Sequence, residues 1–468
     1  MLLRRFASGL VSSRKSNSAV ISRSDLFQGL RCTRWTSHAN SSTQVQPVPV
    51  VEADIVLVRD FIYSALYDEN QGYFSARSSA VGELPTPINF NALEGKRAYT
   101  QYIDNLYKRG DSSWFTPVEL FQPYYGYALA EFILRTHSSS NPLIIYEIGG
   151  GTGTCARNIL DYMKAHAPRT LYETMSYKSV EISGELAKKQ YQKVTKGDEN
   201  RKQFSVERRN ASDRSGWGAA KKESCFVIML EVLDNLPHDL VHRETSRSPW
   251  MEKWVLERTD GEVPGLPVEI SKPLQDDLII RCLEAMKGDP AQSRSVTRTL
   301  KNMVVKLLNA SELLWIPTGC LKLLETLHSA RPNMTLIASD FSLLPDVRLA
   351  GEGAPLVSSK KGGVNKDHAT YLEAKGHTDI FFPTDFSVLQ KLDHLCSAAN
   401  GNTKTSRRSS IVNSAQFMDL FADTGKTLTR DGYNPLLEDF SNTKFYISTP
   451  AGGFKSDVGT QSTGSHSI

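Results

Sequence analysis

The chain has 468 residues, 40% of them hydrophobic and 23% charged, which is typical of a globular protein with one large elaborated domain or two smaller ones. No stretch approaches the roughly 18 uninterrupted apolar residues that a membrane-spanning helix needs, so we expect no membrane insertion. The six cysteines are scattered without a C-x-x-C pair, which argues against a disulfide framework and against a zinc site.

The first 38 residues differ in composition from the rest of the chain. They contain seven arginines and lysines, a single acidic residue, Asp25, and many serines. This composition is typical of an organelle transit peptide, and no continuous apolar region follows that would suit a secretory signal. Residues 1–38 are therefore predicted to be a mitochondrial transit peptide, with a chloroplast address or a disordered basic tail as alternatives. The polar residues 39–52 are predicted to be a linker.

Loss of the transit peptide would change the charge balance. The formal net charge of +4 comes from 55 basic and 51 acidic residues, and residues 39–468 alone carry 48 basic and 50 acidic ones. A nearly neutral chain lacks the broad basic surface that nucleic acid requires. We therefore expect no nucleic-acid partner.

Beyond the linker, the hydrophobic pattern predicts a helix over residues 53–66 and then an aromatic-rich segment, residues 114–126. This segment precedes the first core strand and would cover a cleft beside it. The predicted core strands are residues 143–148, 177–182, 204–207, 225–232 and 334–341, with helices over 154–166 and 184–194. Alternating strands and helices predict an α/β fold with a doubly wound, Rossmann-like sheet and an N-terminal helical cover.

Two further segments interrupt this alternation. Residues 240–243 and 250–256 are predicted to be a paired excursion from the sheet. Residues from about 270 to 331 are rich in helical patterns and are predicted to be an inserted helical subdomain. The last segment, residues 450–468, is expected to be a disordered tail.

The most informative feature is the first predicted core strand, which runs into the sequence G-G-G-T-G-T at residues 149–154. Glycines in such a turn allow positive φ angles and let a ligand approach bare backbone at a helix N-terminus. The dinucleotide fingerprint G-x-G-x-x-G is incomplete here, because its third glycine would fall on Thr154. With Glu147 the pattern is E-x-G-x-G-x-G, which resembles motif I of class I S-adenosylmethionine-dependent methyltransferases.

A second acid follows the next predicted strand. Glu181 ends the sequence S-Y-K-S-V-E, and a helical pattern begins at Ser183. In open α/β nucleotide folds, an acid at this position accepts hydrogen bonds from the ribose hydroxyls. Glu181 is therefore predicted to bind the ribose of the cofactor; the alternative is an exposed acid that only favours the helix start.

The fourth core strand leads into L-E-V-L-D-N-L-P at residues 230–237. Strand ends on either side of the switch point meet at the cleft, so Glu231 and Asp234 would stand at its mouth. Two carboxylates suit a cationic substrate, because they can bind a guanidinium by paired hydrogen bonds. His238 and His242 are four residues apart, but without nearby carboxylate ligands we predict no metal site.

Together these motifs resemble those of the MidA-type methyltransferases. The segments that carry the resemblance are E-I-G-G-G-T-G-T from Glu147, V-E-I-S from Val180, E-V-L-D-N-L-P from Glu231, G-H-T-D-I-F-F-P-T-D-F from Gly376, Q-G-Y-F from Gln71 and T-P-V-E-L-F-Q from Thr116. The mitochondrial members of that family are protein arginine methyltransferases needed for assembly of respiratory complex I. The resemblance implies S-adenosyl-L-methionine as cofactor, a complex I subunit as protein substrate, and the mitochondrial matrix as location.

The resemblance also implies roles for individual residues. A methyltransferase domain would span residues 53–449, with Glu147, Gly149, Gly151 and Gly153 at the amino-acid end of the donor. Glu231 and Asp234 would be the catalytic residues that orient the acceptor. Weaker substrate contacts are expected from two residues of the covering segment, Glu119 and Gln122. Two alternatives stay open: a methyltransferase acting on a small molecule or nucleic acid, and a noncatalytic assembly factor that retains the fold.

Overall fold

The computed structural model describes residues 55–451 apart from 77–80, 110–113, 139–140, 200, 258–265, 288–310, 362–363 and 400–406. The predicted transit peptide and linker lie outside the described residues, as does the predicted tail from residue 452 onward.

The N-terminal part is mostly helical. Its elements are β1 (Ile55–Leu57), α1 (Val58–Tyr67), α2 (Tyr73–Ala76), α3 (Gly95–Arg109), α4 (Pro117–Leu120) and α5 (Tyr124–Thr136). The prediction of a helix from residue 53 is wrong for residues 55–57, which form a strand paired with residues 254–256. The reason is tertiary: the exposed edge of another strand supplies backbone partners for these three residues. The helical cover itself is present.

The first half of the central sheet follows the predicted strand and helix boundaries within about two residues. Its elements are β2 (Ile144–Ile148), α6 (Thr154–His166), α7 (Arg169–Thr174), β3 (Ser176–Glu181), α8 (Gly184–Thr195), β4 (Phe204–Arg208) and β5 (Cys225–Leu230). Ser183 caps α8, since its hydroxyl accepts a hydrogen bond from Leu186 N at 3.3 Å. The α/β prediction is confirmed.

A second, antiparallel sheet is inserted after β5. Its elements are β6 (Asp239–Arg243), β7 (Met251–Leu256), β8 (Val268–Pro273), α9 (Asp277–Lys287) and β9 (Glu312–Ile316), followed by α10 (Thr318–Ala330). The predicted pairing of 240–243 with 250–256 is confirmed. The prediction of a purely helical insertion is wrong where β8 and β9 lie, since β8 pairs with β7 and β9 with β6. A short apolar run is compatible with a helix or with a strand, and here the neighbouring strands determine that it forms a strand.

The chain then returns to the central sheet. The remaining elements are β10 (Met334–Phe341), β11 (Leu356–Lys361), β12 (Val364–Asp367), β13 (Thr378–Phe381), α11 (Phe386–Ala399), β14 (Arg408–Asn413), α12 (Ser414–Phe421), α13 (Pro435–Glu438) and β15 (Thr443–Thr449). The central sheet has the order β14-β15-β10-β5-β2-β3-β4, in which β15 runs opposite to the other six strands. A small sheet, β12-β11-β13, packs nearby.

Side chains alternate across the central sheet into two separate apolar cores. Ile145 and Ile228 belong to the core under α5 and α6, whereas Tyr146 and Val227 belong to the core under α9, α10 and α11. A sheet covered by helices on both faces must bury both sets of alternate residues. Among the described helices, none is long and apolar enough to cross a membrane.

The direction of winding changes between β2 and β5. From β2 the chain goes outward to β3 and β4, and then returns to β5 and β10 on the other side of β2. Loops after β2 and β5 therefore separate in opposite directions and leave a crevice at the carboxyl ends of the strands. Gly149, Gly151, Glu181 and Glu231 line this crevice.

Candidate functional site

The glycine loop after β2 has the backbone conformation that its sequence predicts. Gly149, Gly151 and Gly153 have φ angles of 65°, 55° and 87°, and Gly153 is the residue that precedes α6. A Cβ on Gly153 would lie 2.9 Å from the Cα of Gln190, so both the conformation and the close approach of α8 require glycine. The loop thus presents backbone at the start of a helix.

A cavity of about 430 Å³ lies against this loop, and we call it the donor cavity. Its lining includes Gly149 and Gly151 of the loop, Glu181, and Asn210 and Ala211 from the loop after β4. Helix α1 contributes Arg59, Tyr63 and Tyr67, and we call this part of the lining the roof. The cavity therefore lies at the carboxyl ends of β2, β3, β4 and β5.

Glu181 is buried in the wall of the donor cavity. Its Oε1 accepts a hydrogen bond from Ser183 N and its Oε2 accepts one from the Gln190 side chain, both at 2.9 Å. Burial raises the pKa of Glu181 to about 7, although these hydrogen bonds favour the charged form. The Gln190 amide also donates to Gly151 O at 3.1 Å, so it links the acid to the glycine loop. Sequence analysis placed Gln190 in a predicted helix but offered no sign of this role.

Glu147 lies beneath the glycine loop rather than in the donor cavity. The Tyr177 hydroxyl donates to Glu147 Oε2 at 2.9 Å, and a Cβ on Gly150 would lie 2.9 Å from the same oxygen. Burial raises the pKa of Glu147 to about 7. Together with Gly149 and Gly151 it lines a smaller cavity of about 40 Å³. Glu147 therefore supports the loop from below.

Glu231 and Asp234 lie together in the turn after β5, residues 231–235, which we call the acid turn. Both line a cavity of about 100 Å³, which we call the acid pocket, together with Asp379 of β13. Its other walls are mostly aromatic: Phe74, Tyr107, Trp114, Phe115, Phe341, Phe381 and Phe440. Glu231 also lines the donor cavity, so the two spaces adjoin at this residue.

The carboxylates of the acid pocket lack partners of opposite charge. Glu231 Oε1 and Asp234 Oδ1 are buried without a hydrogen bond, and in the described part of the chain neither residue has an ion pair. Burial, and secondly the charge of Asp340, raise the pKa of both well above the ordinary range. No group of acids, histidines or cysteines among the described residues is arranged to hold a metal ion. The acid pocket thus holds two buried acidic side chains that no cation among the described residues compensates.

Two acids near the acid turn were not singled out by the sequence analysis. Burial raises the pKa of both Asp340, at the end of β10, and Asp379 to about 7. Asp379 Oδ1 accepts a hydrogen bond from the Asn235 amide at 3.1 Å. A usable signal existed for Asp340, since like Glu181 it is an acid near the carboxyl end of a predicted core strand.

Glu119 and Gln122 are joined to the start of α6. Glu119 accepts hydrogen bonds from Leu84 N at 2.6 Å and the Thr154 hydroxyl at 2.5 Å, and the Gln122 amide donates to it at 3.1 Å. Lys193 lies 3.9 Å from the same carboxylate. Neither Glu119 nor Gln122 lines the acid pocket, but Glu119 lines the smaller cavity of about 40 Å³ beside the glycine loop. Their contact with substrate therefore stays a prediction.

The donor cavity fits the methyl donor expected from the sequence. Gly151 lines the cavity, and a Cβ there would meet only Val81, at 3.5 Å, so it would project into the free space. The carboxylate of Glu181 lines the same cavity, and a carboxylate can accept hydrogen bonds from ribose hydroxyls. S-adenosyl-L-methionine, with its ribose and its amino-acid tail, matches this combination of bare backbone and carboxylate.

Comparison with known proteins identifies relatives of this chain. A family model described as "Putative S-adenosyl-L-methionine-dependent methyltransferase" matches residues 126–402, more than half of the chain. The protein arginine methyltransferase NDUFAF7 homolog, mitochondrial, of Schizosaccharomyces pombe is 21% identical over 372 residues, which are 73% of this chain and 76% of that protein.

Two solved structures from Burkholderia thailandensis share the fold. A COG1565 superfamily member bound to S-adenosyl-homocysteine has a TM-score of 0.56 at 15% identity, over 84% of this chain and 88% of that one. A native structure of a COG1565 superfamily protein has a TM-score of 0.52 at 14% identity, over 86% and 89%. With the glycine loop, the buried Glu181 and the family match in agreement, the chain belongs to this family of S-adenosyl-L-methionine-dependent methyltransferases and uses S-adenosyl-L-methionine as its cofactor.

Proposed function

We propose that this chain transfers the methyl group of S-adenosyl-L-methionine to an arginine of a mitochondrial protein, a subunit of respiratory complex I during its assembly. The observation that carries the acceptor class is the acid pocket. It adjoins the donor cavity at Glu231, and it holds buried carboxylate oxygens that no group among the described residues satisfies.

Charge and shape favour a guanidinium in this pocket. An unpaired buried carboxylate is costly, and a cation that enters the pocket removes that cost. A guanidinium is planar and donates in parallel pairs, so Glu231 and Asp234 can hold it together. Aromatic walls such as Phe74 and Phe381 add favourable contact with a cation.

The proposed roles follow from position. Gly149, Gly151 and Gly153 hold the amino-acid end of the donor, with Glu147 as support below them, and Glu181 binds the ribose hydroxyls. Glu231 and Asp234 orient the acceptor nitrogen, because methyl transfer depends on alignment in a dry cleft. For Glu119 and Gln122 we propose an indirect role, in which they hold the covering segment against the start of α6.

The proposal also names an acceptor protein and a cellular location. The Schizosaccharomyces pombe relative is named a mitochondrial protein arginine methyltransferase, which supports a protein acceptor and a mitochondrial location. The Arg-rich, acid-poor start of the chain supports import into the matrix. A complex I subunit as acceptor follows from the resemblance of the motifs.

The test combines donor binding with transfer. The purified chain is titrated calorimetrically with S-adenosyl-L-methionine, and is then incubated with donor labelled in its methyl group and a mitochondrial protein extract. Labelled protein is hydrolysed and analysed for methylarginine. We expect methylarginine with the wild type, and a loss of at least about 100-fold with the Glu231→Gln, Asp234→Asn double variant, which still binds donor.

Two variants complete the experiment. Gly151→Val is expected to abolish donor binding and transfer together, because the valine side chain would fill the donor cavity. Asp213→Asn, which removes an exposed carboxylate that accepts a hydrogen bond from Ser215 N and lines neither the donor cavity nor the acid pocket, should behave as wild type. Donor turnover without labelled protein would favour a small-molecule or nucleic-acid acceptor. Donor binding with full cellular function of the double variant would favour a noncatalytic assembly factor.

A further inference from the structure

Asp340 is a fully buried carboxylate that lines neither the donor cavity nor the acid pocket. It lies near the end of β10, the strand beside β5, and the residue before it accepts a hydrogen bond from the acid turn: Glu231 N donates to Ser339 O at 2.9 Å. Asp340 therefore stands behind the turn that carries Glu231 and Asp234.

The hydrogen bonds of Asp340 are made to backbone. Leu233 N and Asp234 N both donate to Asp340 Oδ2, at 2.9 and 3.1 Å, and Phe341 N donates to Oδ1 at 2.8 Å. Bonds from backbone N–H groups to a carboxylate are stronger than neutral ones and fix both partners. One side chain of β10 thus binds two successive amides of the acid turn.

Glu231 and Asp234 differ from Asp340 in this respect. Each has a buried oxygen without a partner, and both line the acid pocket. The three acids at this turn therefore divide into two kinds. Asp340 bonds the turn through Oδ2, whereas Glu231 and Asp234 each keep a buried oxygen without a partner and line the acid pocket.

The acid turn needs such support. Glu231 has a φ angle of 52°, a left-handed conformation that is unfavourable for a residue with a side chain. Such a conformation persists only where surrounding contacts fix it. On its far side the turn is held by Phe382 N, which donates to Asp234 O at 2.7 Å. Asp340 supplies the corresponding contact on the side of the central sheet.

We propose that Asp340 is a positioning residue, which fixes the acid turn so that Glu231 and Asp234 present their free oxygens to the acceptor. The effect of Asp340 on acceptor binding rests on the proposed function. Its role in fixing the conformation of the acid turn does not. The two parts can therefore be tested separately.

Hydrogen exchange tests the hold on the turn. We compare the wild type with Asp340→Asn, which keeps the size of the side chain but removes its charge and one acceptor. We expect the amides of Leu233 and Asp234 to exchange at least about tenfold faster, with the glycine loop amides of residues 149–155 unchanged. Asp213→Asn, which removes another carboxylate bonded to a backbone amide, is the matched control. Unchanged exchange at Leu233 and Asp234 would overturn the proposal, whatever the acceptor is.

Acceptor binding tests the consequence. N-acetyl-arginine amide is titrated into each protein saturated with S-adenosyl-homocysteine. We expect Asp340→Asn, and also Asp340→Glu, which keeps the charge but moves it, to weaken this probe at least about tenfold while S-adenosyl-homocysteine binds as in the wild type. The two substitutions together separate the effect of charge from that of position.

The other outcomes of the binding experiment also decide whether Asp340 has a positioning role. Wild-type affinity for the probe in both variants would overturn the proposal. Loss of S-adenosyl-homocysteine binding in both would also overturn it, because Asp340 would then support the whole fold. If the wild type fails to bind the probe but exchange at Leu233 and Asp234 speeds up in Asp340→Asn, the positioning role stands and the arginine acceptor is rejected.

Discussion

At the scale of single residues, the chain buries several acidic side chains near the cavities. Glu147, Glu181, Asp340 and Asp379 each have a pKa raised to about 7 by burial. Evolution usually avoids buried carboxylates without a cation, since each reduces stability at neutral pH. Three of these acids, Glu147, Glu181 and Asp340, lie near the carboxyl ends of strands of the central sheet, which is evidence for a site there.

Replacement of Glu147 should change how stability depends on pH. Its folded-state pKa of about 7 lies above the ordinary 4.5, so the folded protein binds a proton more tightly than the unfolded chain does. Stability from this group is full below pH 4.5 and is lost as pH rises through 7. Glu147→Gln should thus match the wild type at pH 4.5 and exceed it at pH 8, by up to about 3 kcal/mol.

Urea unfolding at several pH values measures this effect. Glu185→Gln, at an exposed site in the first turn of α8, is the control and should unfold with the pH dependence of the wild type. Parallel pH profiles for Glu147→Gln and the wild type would contradict the expected proton uptake at Glu147.

At the scale of elements, a buried charged network joins α10 and α11 to β15, away from the cavities. Asp393 Oδ1 is 2.7 Å from His328 Nε2, and Asp393 Oδ2 accepts hydrogen bonds from Arg407, at 3.1 Å, and from the hydroxyls of Tyr446 and Ser448, at 2.8 and 2.5 Å. Bonds from these partners hold the pKa of Asp393 well below its ordinary value, despite burial. The network fixes α10 and α11 on β15.

Removal of the charge at Asp393 should destabilise the fold without affecting donor binding. Asp393→Asn leaves Arg407 buried without its counter-charge, which costs about 3 kcal/mol. Because the folded-state pKa is depressed, this stabilisation is present above pH 3.8 and is lost as pH falls through the folded-state value. Thermal unfolding at pH 7 is the measurement, with the exposed Asp419→Asn as control. A variant as stable as the wild type would contradict the role of the network.

At the scale of the whole molecule, the N-terminal helix and the inserted sheet meet over the donor cavity. Arg59 of α1 donates to Asp239 Oδ2 at 2.9 Å and to both oxygens of Asp276, at 2.8 and 2.7 Å. Asp239 begins β6 and is fully buried, and Asp276 precedes α9. Arg59 also lines the cavity. One side chain therefore joins three separate parts of the chain at the site.

Loss of Arg59 should loosen this roof. Arg59→Ala leaves Asp239 buried without its cation, so we expect faster hydrogen exchange in α1 and donor affinity about tenfold weaker, equivalent to ~1.4 kcal/mol. Calorimetry with S-adenosyl-L-methionine measures the affinity. Arg169→Ala, which removes an exposed ion pair with Glu173, should leave it unchanged. Equal donor affinity in Arg59→Ala and the wild type would mean that the roof does not contribute to binding.

The sequence alone determined five strands of the central sheet, β2, β3, β4, β5 and β10, and the conformation of the glycine loop. The strand before Gly149 and the helix from Thr154 to His166 were predicted to within a residue, because local hydrophobic periodicity and glycine conformation depend on near neighbours. The helix cap at Ser183, two residues after Glu181, likewise depends on near neighbours. Such features need no knowledge of the rest of the fold.

Only the tertiary structure decided which distant residues share a space. Asp379 lies 144 positions from Asn235, yet the two are hydrogen bonded, and Asp340 bonds the acid turn from 107 positions away. Strands β1, β8 and β9 form because partner edges exist, and Glu119 faces Thr154 because α4 packs on α6. The periodicity of a segment specifies its own conformation, whereas neighbours are set by how all segments bury their apolar faces together.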